Sequence, residues 1–251
     1  MDKATQANQA QLGGTVLSQQ IAIRLLKEMQ GGVFKGCSRL PAEVDLASQL
    51  GVSRTVIRDA LSELEREGYV ERVRGIGTVV NARIVALSNR LDQKFEYSAM
   101  IRAAGHESHA DRVSIQQIFA DSHLSQMLDI PNGDPVLVIR KRVFADDIPV
   151  IYSVDYLPMA LFPADSAHQL DFAQPIFDLL SEVSGLTVHS TITHVNAVLG
   201  DQNVRQILQV PSHEALLLME EQSFCRLAKP VMYSLSYYTN FFDFTILRKK
   251  F

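Results

Sequence analysis

Residues 38–80 read SRLPAEVDLASQLGVSRTVIRDALSELEREGYVERVRGIGTVV, and their punctuation decides the fold. Val44, Leu46, Ala47 and Leu50 give a short apolar helical pattern. Gly51 follows it, the residue that most cheaply takes the left-handed conformation closing a helix. Ser53 then stands where its hydroxyl can accept from amide groups that lack intrahelical partners. A second helix is expected over residues 54–67. Its Ile57, Leu61 and Leu64 recur at helical spacing and pack inward. Helix, glycine turn and helix make a helix-turn-helix.

The outer side of the second helix carries the chemistry. Arg54, Thr55 and Arg58 fall together on its N-terminal half. Two guanidinium groups one turn apart can grip a phosphate and the O6/N7 edge of a guanine in a major groove. The alternative is an ordinary solvated face. The segment that follows argues against it: residues 71–74 and 78–80 read as two strand runs around Gly75-Ile76-Gly77, a hairpin turn with glycine where positive φ is needed. A hairpin directly after such a helix is a wing, whose Arg72 and Arg74 can reach phosphates.

On these residues the segment resembles the winged-helix domain of the GntR family of bacterial transcription regulators. The resemblance runs in one register over RLPAEVDLASQLGVSRTVIRDALSELEREGYVERVRGIGT. It implies that Arg39, Arg54 and Arg58 contact operator DNA and that Gly77 and Thr78 form the wing tip. Two positions depart from the family pattern: Ala42 stands where serine is common, and Ile76 where a basic or polar residue is common.

The rest of the chain bounds the reading. Its 251 residues suit two domains, and 47% hydrophobic with 21% charged residues describes a globular chain. No apolar run approaches the ~20 residues that span a bilayer, and the polar start does not resemble a signal peptide, so a cytoplasmic protein without a membrane role is expected. Cys37 and Cys225 offer neither a disulfide framework nor zinc spacing. The net charge of -4 divides into +2 over residues 1–83 and -6 over the remainder, the balance of a DNA reader joined to a part that avoids DNA. The expected division is a disordered leader over 1–14, the winged helix over 15–80, a linker over 81–90 and a second domain over 91–251. A first helix is expected from Val16 to Met29, with Leu17, Ile21, Leu25 and Met29 as its apolar stripe. No internal repeat stands out.

The second domain reads as α+β on an antiparallel sheet. Helices are expected over 92–104, after Asp121, over 175–182 and over 204–208. Strands are expected over 136–144, 150–157, 186–199, 215–227 and 231–244. With the runs LDIPNGDPVLVIRKRVFADDIPVIYSVDYLP and LQVPSHEALLLMEEQSFCRLAKPVMYSLSYYTNFFDFTI, this layout resembles the UTRA ligand-sensing domain of the HutC branch of the family. That resemblance implies a homodimer, an effector pocket and a fold similar to chorismate lyase.

Arg140 and Arg142 alternate around Lys141, so on a strand they share one face. Paired guanidinium groups favour a carboxylate, phosphonate or phosphate, and the resemblance places them at an effector anion site. The competing account is a structural ion pair with Asp155 or Asp147. Ser153 and Asp155 share a face of the returning strand and could add polar contacts. Tyr238 falls where the branch uses a tyrosine to close over its ligand. Pro175-Ile176-Phe177 replaces the hydroxyl-bearing run of amino-sugar-phosphate sensors, which turns the expectation toward an organic acid, phosphonate or phosphate. His189 and His194 are five apart and point to opposite faces of a strand, poor geometry for a metal. No cofactor is expected. The resulting expectation is a dimeric operator-binding repressor under effector control. The alternative is a chorismate-lyase-like enzyme in the second domain, for which no nucleophile–base motif is present.

Overall fold

The computed structural model describes residues 3–93, 95–162, 170–172 and 174–249, and divides after Leu87 into two compact units. The division lies within residues 81–90. That segment also contains a short helix, α4 (Ala82–Val85), capped by the Asn81 side chain.

The first unit opens with α1 (Lys3–Gln30). Residues 3–14, read from sequence as a disordered leader, are therefore helical. Ala and Gln make up half of them, and these propagate a helix well enough to carry it through Gly13 and Gly14. The inward stripe of α1 is Ile21, Ala22, Leu25 and Met29, whereas Leu17 is exposed. Next come α2 (Glu43–Leu50) and α3 (Arg54–Arg66), then a hairpin of β1 (Val70–Val73) and β2 (Gly77–Val80). Gly51 closes α2 at φ 67°, and Ser53 Oγ accepts from the Val56 amide at 3.3 Å. Ala42 provides no side-chain cap for α2. Leu25 of α1, Leu46 of α2, and Ile57, Ala60 and Leu61 of α3 join Tyr69 and Val70 in one core. In the hairpin Val70 pairs with Val80 and Val73 with Gly77, and positive φ at Gly75 and Gly77 makes the tight reversal.

The second unit is a six-stranded antiparallel sheet in the order β3-β4-β5-β8-β7-β6. Its elements are α5 (Tyr97–Ala103), β3 (Ser108–Phe119), α6 (Ser122–Leu128), β4 (Pro135–Ala145), β5 (Ile148–Pro158), α7 (Ile176–Ser184), β6 (Ser190–Val198), α8 (Gln202–Leu208), β7 (Leu216–Phe224) and β8 (Pro230–Tyr238). The helix expected over 92–104 is confined to α5. Strand β3 was not anticipated, because its residues mix polar and apolar without clean alternation.

The order of elements reveals a repeat that the sequence conceals. β3-α6-β4-β5 and β6-α8-β7-β8 are two copies of one strand–helix–hairpin unit, joined where β5 pairs with β8. Asp121 caps α6 through the Leu124 amide, and Asp201 caps α8 through the Val204 amide, each at 2.8 Å. Both helices end on a left-handed residue, Asp129 and Gln209.

Strand alternation then divides the sheet into two faces. Leu137, Ile139, Val143 and Ala145 of β4 pack with Met100 and Ile101 of α5 and Ile176, Leu179 and Leu180 of α7. Val136 and Val138 face the other way, against α6 and α8.

Candidate DNA-reading surface and effector cavity

Helix α3 separates the residues that hold it from those that face solvent. Ile57, Ala60, Leu61 and Leu64 are buried, and Arg54, Thr55 and Arg58 are exposed on the opposite side. Arg39 is also exposed. Its backbone bridges Val79 in β2, and its Nη1 donates to the Ile76 carbonyl at 3.4 Å, beside the hairpin turn. Arg74 and Gly77 are exposed at that turn.

Two wing residues have other work. Arg72 Nε and Nη2 donate to Glu65 Oε2 at 2.8 and 2.6 Å, and the Arg72 amide donates to Oε1 at 2.8 Å. This clamp ties β1 to the last turn of α3. Thr78, the cross-strand partner of Arg72, is buried, and its carbonyl accepts from the Leu40 amide. Arg72 and Thr78 therefore brace the hairpin, and Arg74 and Gly77 form its accessible tip.

In the second unit Arg140 and Arg142 do share a face, the one under α6 and α8. Arg142 is buried and grips Asp111 of β3, Nε to Oδ1 at 2.7 Å and Nη2 to Oδ2 at 2.5 Å. Its Nη1 donates to the Ile207 carbonyl in α8 at 3.2 Å, and its guanidinium lies 4.7 Å from the Phe144 ring centre. Arg140 Nη1 donates to Gln116 Oε1 at 3.4 Å. The structural pair weighed from sequence thus exists, with Asp111 in place of Asp155 or Asp147.

Ser153 and Asp155 lie on the other face. In register, Lys141 pairs with Ser153, Ser153 with Ser236, and Ser236 with Met219. The adjacent row runs Ile139, Asp155, Ser234, Glu221, Thr193. Lys141, Ser153, Asp155, Ser234, Ser236 and Glu221 are all at most 4% exposed, so a polar band crosses the centre of an otherwise apolar face. Sequence reasoning passed over Lys141 because two arginines flank it; the cue was its position one residue out of phase with them. The expected grouping of the arginine pair with Ser153 and Asp155 therefore does not form.

Hydrogen bonds tie several members of the band to its surroundings. Lys141 Nζ donates to the Gln174 carbonyl at 2.7 Å. Burial pulls the Lys141 ammonium below its usual range, opposed by the charges of Asp155, Glu96 and Asp171. Tyr97 of α5 shares a 2.7 Å hydrogen bond with Ser236, and Thr193 donates to Glu221 at 2.9 Å. Tyr238 lies on this face, 2% exposed, edge-on to Tyr97 with ring centres 6.1 Å apart. Burial first, then neighbouring charges, holds both phenols well above their ordinary range, so they remain neutral donors.

Two cavities open on this band. One, of about 280 Å³, is lined by Lys141, Tyr97, Ser98, Arg102, Ser108 and His109 among others. The other, of about 420 Å³, is bounded by Thr191, Thr193, Glu221, Tyr238, Arg90 and Phe244 among others. Arg90 is buried and paired with Asp92. Among the described residues no group of three His, Cys, Asp or Glu could hold a metal ion, and no helix is long and apolar enough to cross a membrane.

Residues 17–80 match the model of the gntR family of bacterial regulatory proteins, and residues 103–240 match the UTRA domain. The chain belongs to the GntR family. Its UTRA domain sets this GntR regulator in the branch that includes the histidine utilization repressors. One of these, from Pseudomonas aeruginosa, is 28% identical over 79% of this chain and 78% of its own. The uncharacterized HTH-type regulator YurK of Bacillus subtilis is 27% identical over 92% of this chain and 95% of its own. The crystal structure of PhnF from Mycobacterium smegmatis shares the fold, with a TM-score of 0.60 and 24% identity over 92% of this chain and 98% of that one. The GntR chain thus carries the DNA-binding head and effector domain of a transcriptional repressor family, and its named relatives are transcription regulators.

Proposed function

We propose that the chain is a homodimeric repressor that binds a pseudo-palindromic operator and is controlled by a small anionic effector in its UTRA domain. Arg39, Arg54, Thr55 and Arg58, with Arg74 and Gly77 of the wing tip, meet the DNA. The observation that carries this is the division of α3 into a fully packed side and an exposed guanidinium-bearing side. Each recognition helix of a dimer must enter a major groove about 34 Å from its mate, so an effector that prefers one spacing of the heads changes affinity.

The effector's anionic group, a carboxylate, phosphonate or phosphate, is assigned to the cavity beside Lys141. Arg102 and His109 line the same cavity, and Tyr97, Ser98 and Ser108 add hydroxyl groups. Lys141 takes the part first expected of Arg140 and Arg142, because it is the cation on the face that carries Ser153 and Asp155. Burial and neighbouring carboxylates make a bound anion there sensitive to small changes in geometry.

The test uses the full chain. Duplexes are first selected from a random pool, and small carboxylates, phosphonates and phosphates are then screened for raised melting temperature and altered operator affinity. A hit whose effect vanishes in Lys141→Met and survives in Arg140→Ala supports the reading. A hit with the reverse dependence rejects this cavity, and failure to select any duplex rejects the regulator itself.

A further inference from the structure

We propose that the Ile76 side chain is an apolar wedge that the hairpin of β1 and β2 sets against a minor groove, so that the protein reads how easily a base step deforms as well as the base edges met by α3. This rests on the operator-binding reading above and gives the wing tip a part in sequence choice.

The tip is a tight reversal. The Ile76 amide donates to the Val73 carbonyl at 3.0 Å, and Gly75 within that turn stands at φ 79°. Arg39 Nη1 donates to the Ile76 carbonyl at 3.4 Å. Both backbone polar groups of Ile76 are therefore engaged inside the protein, and what the residue offers a partner is its side chain. That side chain is 47% exposed and takes no part in the core built on Leu25, Leu46 and Ile57. A single exposed aliphatic residue on a flat surface would mean little. Here it stands at a hairpin tip, where polar residues are the rule, beside the exposed Arg39 and Arg74.

The hairpin is fastened so as to hold that tip out. Arg72 ties β1 to Glu65 of α3, and the Leu40 amide donates to the Thr78 carbonyl of β2 at 2.9 Å. From Val70 to Val73 strand β1 advances roughly 10 Å, close to the ~12 Å width of a major groove. A tip carried that far from a helix lying in the major groove reaches past the phosphate backbone to the neighbouring minor groove. Arg39 and Arg74 can hold phosphates there. An uncharged, branched side chain can neither hold a phosphate nor exchange hydrogen bonds with a base edge. Its favourable destination is the gap of a partly unstacked base step. Isoleucine is among the side chains that enter such steps, and pyrimidine–purine steps open at the least cost.

The experiment uses the full chain and duplexes selected from a random pool. The minor groove beside each half-site should carry a TA or CA step, and a stiff A-tract in its place should weaken wild-type binding. In Ile76→Ser that discrimination should vanish. Affinity for the selected duplex should fall at least about tenfold, the order expected for losing a buried aliphatic side chain. The salt slope should stay unchanged, because no charge is removed. The fluorescent adenine analogue aminopurine, placed at the step, should brighten on binding wild type and stay dark with Ile76→Ser. Ile76→Arg should bind all duplexes more tightly, steepen the salt slope by about one and lose the step preference. Melting temperatures of both variants should match wild type, since the position is exposed. Equal step preference and affinity in wild type and Ile76→Ser, with binding still abolished by Arg54→Ala/Arg58→Ala, overturns the wedge and leaves the operator-binding reading standing. Failure to select any duplex overturns both.

Discussion

Arg142 of β4 holds Asp111 of β3 through two parallel bonds and turns away from Lys141, its immediate neighbour in the chain. The pair braces the β3 edge of the sheet, and Ile207 extends the brace to α8. Asp111 lifts the Arg142 guanidinium further above its ordinary range, a second sign that the charge is spent locally. Arg142→Ala should lower stability by about 1–2 kcal/mol in urea unfolding, less than a fully buried pair would lose because Asp111 is partly exposed. Its effector dose–response should match wild type. A blunted response at unchanged stability would return the anion site to the face under α6 and α8.

Lys141→Met is the complementary change. Methionine approximates the lysine stem and removes the charge, so the core should tolerate it. The variant should bind operator normally and require at least about tenfold more effector for the same response, a loss of roughly 1.4 kcal/mol in effector binding. Titration of a labelled operator with effector measures this, and an unshifted midpoint would remove Lys141 from the site.

What was legible in the sequence follows the range of the interactions. Ser53, Gly51, the Ile57–Leu61–Leu64 stripe and the Gly75–Gly77 turn are local signals within a few residues, and they fixed the winged helix. The polar band is assembled across five strands, from Lys141 on β4 to Thr193 on β6, and depends on which face the helices cover. Alternation around residues 140–142 gave two faces without saying which was inside. Two arginines drew the reading to the face under α6 and α8, whereas Ser153 and Asp155 share the face of Lys141. The repeat was hidden for a similar reason. Its signature is confined to matched positions such as Asp121 and Asp201, Pro131 and Pro211, and Tyr152-Ser153 and Tyr233-Ser234, with unlike residues between them.

Arg54→Ala and Arg58→Ala should each weaken operator binding by about 1–3 kcal/mol where the side chain reads a base. A phosphate-only contact would instead reduce the salt slope and weaken all sequences alike. Both side chains are exposed, so melting temperature and oligomer mass should not move. Fluorescence anisotropy on the selected duplex and on a scrambled one distinguishes the two cases. Retained footprinting in the double variant would end the assignment of α3 as the reading helix.

The Glu65–Arg72 clamp gives the wing a pH dependence with a definite sign. Burial pushes the Glu65 carboxyl upward, but the backbone and side-chain hydrogen bonds from Arg72 outweigh it and hold the group below its ordinary value. A depressed carboxylate stabilises the fold above its unfolded pKa of ~4.3, and that contribution is lost as pH falls through the folded value. The clamp is solvent-accessible, so its worth is within about 1 kcal/mol. Hydrogen exchange at the amides of β1 and β2 should therefore be steady from pH 8 to 5, after correction for intrinsic rates, and lose protection below about pH 4. Glu65→Gln should show weaker protection throughout and no such step. Arg72→Ala should loosen the same amides and reduce operator affinity through the hairpin's orientation. If Arg72→Ala lowered affinity while leaving exchange untouched, Arg72 would be a direct phosphate contact instead of a brace.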